Sequence, residues 1–232
     1  NLLSFPYPNI ILLSEFLRLL SIFFDLFLFV IHRFQYLTQD LPSFSHPELA
    51  EMACKNGIKW LQLRVKEVPF DEYLYIAQTV KHICDRFQTT LIINDNVEIC
   101  KLVNAAGVHL GKTDMSIAQA RKILGETKII GGTANTIEDI MFLHVQGAHY
   151  VGLGPYKFTT TKKNLSSVLG LDAYSKTVQA LPFPIPIIAI GGIQLEDVKP
   201  LINTGVFGVA VSSAINLSTE KEKTIANFLE LF

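Results

Sequence analysis

Gln62, Arg64 and Lys66 close an apolar run, KWLQLR, and then leave it, their side chains two apart on one face of an extended chain. The same thing happens repeatedly downstream. Asn94 and Asp95 end TLIIND, and His109 sits in GVHLG with Lys112 and Asp114 just after it. Thr133 and Asn135 follow KIIGG; Thr159, Thr161, Lys162 and Lys163 follow YVGLG. The inventory is two carboxylates, several cations and several hydroxyls. Carboxylates together with phosphate oxygens suit Mg²⁺, which takes hard oxygen ligands in an octahedron. Arg and Lys suit phosphate charge. The set therefore reads as a pyrophosphate–Mg²⁺ site, with Asp95 and Asp114 as the candidate metal ligands. A second anion site is readable in Ala189–Ile193, which contains Gly191 and Gly192, and in Val211, Ser212 and Ser213. These offer bare backbone N–H groups and hydroxyls. Two anion sites facing one mouth point to two phosphorylated small molecules.

Singly, each feature has a plainer reading. An Arg-x-Lys at a strand end is ordinarily a solvated rim, and a Gly-Gly a turn. An Asp ahead of a helix, as Asp114, is ordinarily an N-cap. His109 inside an apolar run reads first as a hydrogen-bonded core histidine. What gives the set weight is the elements that must position it.

Eight short β-rich runs recur: FQYLT (34–38), KWLQLR (59–64), TLIIND (90–95), GVHLG (107–111), KIIGG (128–132), YVGLG, IIAIGG (187–192) and GVAVSS (208–213). They are continuously apolar rather than alternating, as strands buried on both faces of a parallel sheet are. Helical signals separate them. Ser45-His46-Pro47-Glu48 gives a cap and an early proline; Thr136–Asp139 and Gln194–Asp197 put acids in a first turn. Gly57, Gly147 and Gly205 stop helices. The expected fold is a (β/α)₈ TIM barrel with an extra apolar N-terminal segment. An open doubly wound sheet is the runner-up, disfavoured by the count of eight and by the lack of a G-x-G-x-x-G after the first strand. In a barrel the strand ends listed above share one face, where active sites lie. The polar stretch 154–169 must lie there too.

The bulk numbers narrow the classes. The chain has 232 residues, 49% of them apolar, enough for a single domain with a large core. Twenty basic against 21 acidic residues exclude a general nucleic-acid binder. Cys54, Cys84 and Cys100 form no C-x-x-C, which argues against a disulfide framework and for a reducing, cytoplasmic setting. Residues 1–33 form an apolar leader. Only 14 residues separate Arg18 from Arg33, and Asp25 interrupts them, short of a membrane span. The expectation is an apolar helix over 11–31, dispensable for chemistry, ahead of a single barrel over 34–232. Self-association is left open.

The segments WLQLRVK, LIINDN, GVHLGKTDM, IIGGTANT, YVGLGP, TTTKKN, AIGGI and GVAVSSAI, in that order, resemble the thiamine-phosphate synthase (thiamine-phosphate pyrophosphorylase) family, in a Bacteroidetes-type form, over about residues 34–215. The resemblance implies an Mg²⁺-dependent transferase that joins a hydroxymethylpyrimidine diphosphate to a thiazole phosphate. It implies that Arg64 and Lys66 contact the diphosphate, with Gln62 in the same motif, and that Asn94 contacts the diphosphate or the pyrimidine. Asp95 and Asp114 correspond to the Mg²⁺ ligands, and Thr133 stands near the pyrophosphate. Lys162 corresponds to the lysine on the leaving group. Thr159 and Thr161 correspond to thiazole-phosphate contacts, and Gly192, Val211 and Ser213, with Ser212 between them, to the phosphate loops. Lys112 and Asn135 depart from the family's more usual Gln and His. Two alternatives stand beside this: a related thiazole tautomerase, which needs no diphosphate cluster, and a non-catalytic binder of thiamine precursors.

Overall fold

The computed structural model describes residues 31–159 and 167–232. The leader expected over residues 1–33 lies almost wholly outside the described residues. Arg33–Phe232 is one compact unit. In it, eight parallel strands close into a barrel in sequence order. This is the (β/α)₈ TIM barrel expected from the sequence, and it excludes the open sheet.

The strands are β1 (Phe34–Leu37), β2 (Trp60–Leu63), β3 (Thr90–Asn94), β4 (Gly107–Leu110), β5 (Ile129–Ala134), β6 (Tyr150–Leu153), β7 (Ile187–Ile190) and β8 (Gly208–Val211). Closure is made by β1 against β8, with Phe34 opposite Val209 and Tyr36 opposite Val211. The carbonyl of Arg33 extends this pairing, accepting from the Val209 N–H at 2.8 Å. The helices are α1 (His46–Lys55), α2 (Phe70–Arg86), α3 (Val97–Leu102), α4 (Ile117–Leu124), α5 (Ile137–Val145), α6 (Gly170–Ala180), α7 (Val198–Asn203), α8 (Ser213–Asn216) and α9 (Lys221–Leu229).

The uninterrupted apolar runs are explained by two cores. Residues of one parity, such as Tyr36, Leu61, Leu63, Leu91, Ile93, Val151 and Val209, face the helices and form the main apolar layer. The other parity fills the barrel. A layer containing Gln35, Trp60, Ile92 and Tyr150 is fully buried there, with Trp60 and Tyr150 edge to face at 5.0 Å between centroids. Aromatic pairs of this geometry add to the burial of their area.

The helix ends follow the expected chemistry. Ser45 and Glu48 form a capping box on α1, as Thr136 and Asp139 do on α5. Gly57, Gly147 and Gly205 take φ values of 94°, 86° and 94° after α1, α5 and α7. The three cysteines are free and buried. Asp114 is not a helix cap: Ser116 caps α4, which leaves the Asp114 carboxylate for other work.

The barrel's lower end carries a titratable lock. His149 Nδ1 accepts from the Ile130 N–H at 2.9 Å, and an Arg121 guanidinium nitrogen lies 3.1 Å away. Burial, and then the Arg121 charge, push the imidazole pKa down to about 4. A histidine depressed in the folded chain takes its proton more readily when unfolded. Its stabilisation is therefore complete above about pH 6.5 and is lost as the pH falls toward 4, at most about 3 kcal/mol over that window. Urea midpoints at pH 7 and pH 4.5 should fall less for His149→Gln than for the parent chain. Parallel losses in the two proteins would rule out His149 as the source.

Candidate active site

At the upper end of the barrel every strand contributes at least one inward-facing residue to a single cavity of about 750 Å³. In order they are Leu37, Gln62, Asn94, His109, Thr133, Gly152, Ile190 and Ala210. This ring is one step along the parallel strands above the buried layer, since side chains repeat every second residue. The polar residues that ended apolar runs in the sequence are thus gathered at one mouth.

One wall is charged. Arg64 and Lys66, just beyond β2, line the cavity with Asp95, just beyond β3. Lys66 Nζ pairs with Asp95 Oδ2. Asp95 sits at φ 64°, a left-handed conformation that Asp and Asn tolerate better than most residues, while its N–H donates to the His109 carbonyl at 2.8 Å. Asp114 folds back from the loop after β4, and its Oδ2 accepts from the Gly111 N–H at 2.7 Å. The two carboxyls are hydrogen-bonded to each other. Burial works to raise the Asp95 pKa, but the Lys66 ammonium and the Asp114 hydrogen bond outweigh it and hold it below the ordinary value. Burial first, then Asp95, hold Asp114 above its ordinary value. The two acids are thus pushed apart in pKa, and a divalent cation between them would offset the repulsion of their charges. Among the described residues no group of three or more His, Cys, Asp or Glu could hold a metal. Two carboxylates completed by ligand oxygens suit Mg²⁺ better than a closed structural site.

The strand ends of this wall are braced from behind. Tyr73 of α2 donates from its hydroxyl between the carbonyls of Leu63 (3.1 Å) and Asn94 (3.0 Å), so the backbones that carry Arg64 and Asp95 share one clamp. Asn94 is buried, and its Nδ2 has no hydrogen-bond partner although the residue lines the cavity. A buried amide donor without a partner is costly, which suits a ligand acceptor at that point.

The opposite wall is built from backbone. Gly191 and Gly192 have φ values of 102° and 67°. The segment after β6 is strapped to them: Tyr156 N donates to the Ile190 carbonyl at 2.8 Å and Lys157 N to the Gly191 carbonyl at 2.9 Å. Lys157 Nζ then pairs with the buried Asp197 carboxylate at 2.7 Å. Val211, Ser212 and Ser213 complete this wall, and Thr159 also reaches the cavity. Ser212 is held by Asn216, whose Nδ2 lies 3.1 Å from its Oγ and 2.9 Å from the Leu37 carbonyl.

The sequence-predicted residues Gln62, Arg64, Lys66, Asn94, Asp95, Thr133, Thr159, Gly192, Val211, Ser212 and Ser213 all line the cavity. Asp114 joins through Asp95. Thr161 and Lys162 lie outside the described residues. The two family departures are explained locally: Lys112 pairs with Asp139 at 2.6 Å, and Asn135 Nδ2 donates to the Gly154 carbonyl. Asp40 was missed. It lines the cavity beyond β1 and is held by His46 Nε2 at 3.0 Å, and the strand-end rule that found Asp95 would have found it.

The thiamine monophosphate synthase family matches residues 36–215. Thiamine-phosphate synthase of Bacteroides fragilis (strain ATCC 25285) is 47% identical over 184 residues, covering 78% of this chain and 90% of the relative. That of Flavobacterium psychrophilum is 50% identical over 169 residues, covering 72% and 82%. The Bacteroidetes-type resemblance is thereby borne out. The structure titled thiamine phosphate pyrophosphorylase from Pyrococcus furiosus superposes with a TM-score of 0.77 at 28% identity, covering 86% of this chain and 95% of that one. The chain therefore belongs to the thiamine monophosphate synthase family and is an enzyme of the thiamine-phosphate synthase type.

Proposed function

We propose that the enzyme condenses 4-amino-5-hydroxymethyl-2-methylpyrimidine diphosphate with thiazole phosphate, giving thiamine phosphate and pyrophosphate. The observation that carries this is one cavity with two unlike anion walls. Arg64, Lys66 and Asp95, which interacts with Asp114, form one; Gly191–Gly192 and Ser212–Ser213 form the other. A single phosphate ester would need only one of them.

In this reading Arg64 and Lys66 hold the diphosphate, Gln62 and Asn94 meet the pyrimidine end, and Thr133 meets a diphosphate oxygen. Gly192, Val211, Ser212 and Ser213, with Thr159, hold the thiazole phosphate, and Thr161 is assigned to it on the family resemblance alone. Mg²⁺, held by Asp95 and Asp114, would supply charge neutralisation for the departing pyrophosphate. The methylene C–O bond breaks with its electron pair leaving on the pyrophosphate, and the stabilised pyrimidine carbocation is captured by the thiazole nitrogen lone pair. No protein nucleophile is required, so the residues align, neutralise and exclude water. Lys162 is assigned to the leaving group on the family resemblance alone. No described helix is long and apolar enough to cross a membrane. The free, buried cysteines favour a cytoplasmic setting.

The test is to mix both substrates with Mg²⁺ and to follow pyrophosphate and thiamine phosphate together. Equal release that requires both substrates and Mg²⁺ is expected. Isomerisation of a thiazole phosphate without pyrophosphate would favour the tautomerase instead. Binding of either compound without turnover would favour a sensor.

A further inference from the structure

We propose that His109 is a positioning residue: the Tyr150 hydroxyl holds it in its neutral Nε2–H tautomer, and it thereby turns the Thr133 hydroxyl proton into the cavity as an anion donor. The inference rests on the reading above, in which the diphosphate end lies beside Thr133.

The chain of contacts is short. Tyr150 Oη lies 3.1 Å from His109 Nδ1, and His109 Nε2 lies 3.0 Å from Thr133 Oγ1. Its direction follows from proton counting. Tyr150 is 1% exposed, and burial raises its phenol pKa well above the ordinary value, so at neutral pH it keeps its single proton. The Gln35 side chain acts on this phenol in the direction that lowers its pKa, as a group donating to the phenol oxygen does, so it does not take the phenol proton. The phenol proton is therefore directed to His109 Nδ1. A neutral imidazole that accepts at Nδ1 carries its proton on Nε2. That proton goes to Thr133 Oγ1, and a hydroxyl that accepts keeps its own proton to give elsewhere. Thr133 lines the cavity, so its proton points to whatever anion sits there. In the opposite tautomer Thr133 would donate to the ring and turn a lone pair toward the anion.

The fold makes room for this relay. A Cβ on Gly131 would lie 2.2 Å from the Tyr150 ring, and one on Gly152 would lie 3.1 Å from His109 Cε1. Thr133 and Gly152 face each other across β5 and β6, so the His109 ring reaches the hydroxyl over a residue with no side chain.

The test uses the full chain with ¹⁵N-labelled histidine. Long-range ¹H–¹⁵N spectra should show one of the six histidines, assigned by its loss in His109→Gln, as a fixed Nε2–H tautomer. Tyr150→Phe should convert it to a mixture. Binding of pyrophosphate with Mg²⁺, measured by calorimetry, should weaken about tenfold or more in Thr133→Val, the worth of one hydrogen bond to a charged group. Thr133→Ser should bind nearly as the parent does. His109→Leu should match Thr133→Val, and the double variant should be no weaker than either. His109→Gln, whose amide N–H can replace Nε2–H, should recover most of the loss. An Nδ1–H tautomer in the parent chain, or parental binding in His109→Leu, would overturn the relay while leaving the diphosphate site standing. A parent chain that binds no pyrophosphate would overturn both.

Discussion

Asp95→Asn leaves the barrel intact and removes most of the turnover. The backbone argument comes first. Asp95 sits at φ 64°, where Asn is tolerated as well as Asp, and its N–H bond to the His109 carbonyl involves no side chain. The fold therefore has no reason to change. The electrostatics do change. Lys66 loses its anionic partner, and the pair with Asp114 loses the member held below its ordinary pKa. A neutral amide keeps an oxygen but not the charge that a hard cation requires. Removing one preorganised group at developing charge costs roughly 2.7–4 kcal/mol, so kcat should fall about 100-fold or more. The expected result is low turnover at every Mg²⁺ concentration, a higher half-saturating Mg²⁺ and a thermal midpoint lowered only slightly, since the Lys66–Asp95 pair is partly exposed. Parental turnover at limiting Mg²⁺ would remove Asp95 from the metal site.

The fold was legible in the sequence because parallel strands buried on both faces leave an unbroken apolar run, and several runs here ended in charged or amide residues. Asp95 and Thr133 could be placed at one mouth on that ground alone. What the sequence could not supply was the third dimension inside the barrel. His109 read as a satisfied core histidine, and it is hydrogen-bonded, but its partners Tyr150 and Thr133 stand on two different strands, 41 and 24 residues away. No spacing rule links them. Asp114 had a helix cap as its plainer reading beside the metal-ligand one, and only the fold shows that Ser116 caps α4 instead. The Lys157–Asp197 pairing was also silent, because it joins residues 40 apart in the chain. Residues whose role depends on a neighbour from another loop are invisible to a one-dimensional reading. Residues whose role follows from a strand end are not.

That second pairing leads to the opposite wall of the cavity, where Gly192→Ala should separate the two substrates. Gly192 has φ 67°, which costs an L-residue about 1–2 kcal/mol. Space is the harder constraint. An added Cβ would lie 2.7 Å from the Phe158 carbonyl oxygen and 3.0 Å from Lys157 Cβ. Neither neighbour can yield easily. Lys157 is held by its N–H to the Gly191 carbonyl at 2.9 Å and by its ammonium to Asp197 at 2.7 Å. The glycine loop must move instead, and with it the N–H groups that would receive the thiazole phosphate. A displacement of about 1 Å at a positioned group can cost about 100-fold. The KM for thiazole phosphate should therefore rise by about that factor. Pyrophosphate binding should stay near the parental value, because Arg64, Lys66 and Asp95 stand just beyond β2 and β3, across the cavity. Relieving the clash from the other side should help: Lys157→Gly in the same chain removes the Cβ at 3.0 Å and the ion pair that holds it, and should recover part of the loss. If Gly192→Ala weakens pyrophosphate as much as thiazole phosphate, the two walls do not serve two ligands, and the glycine loop belongs to the diphosphate site.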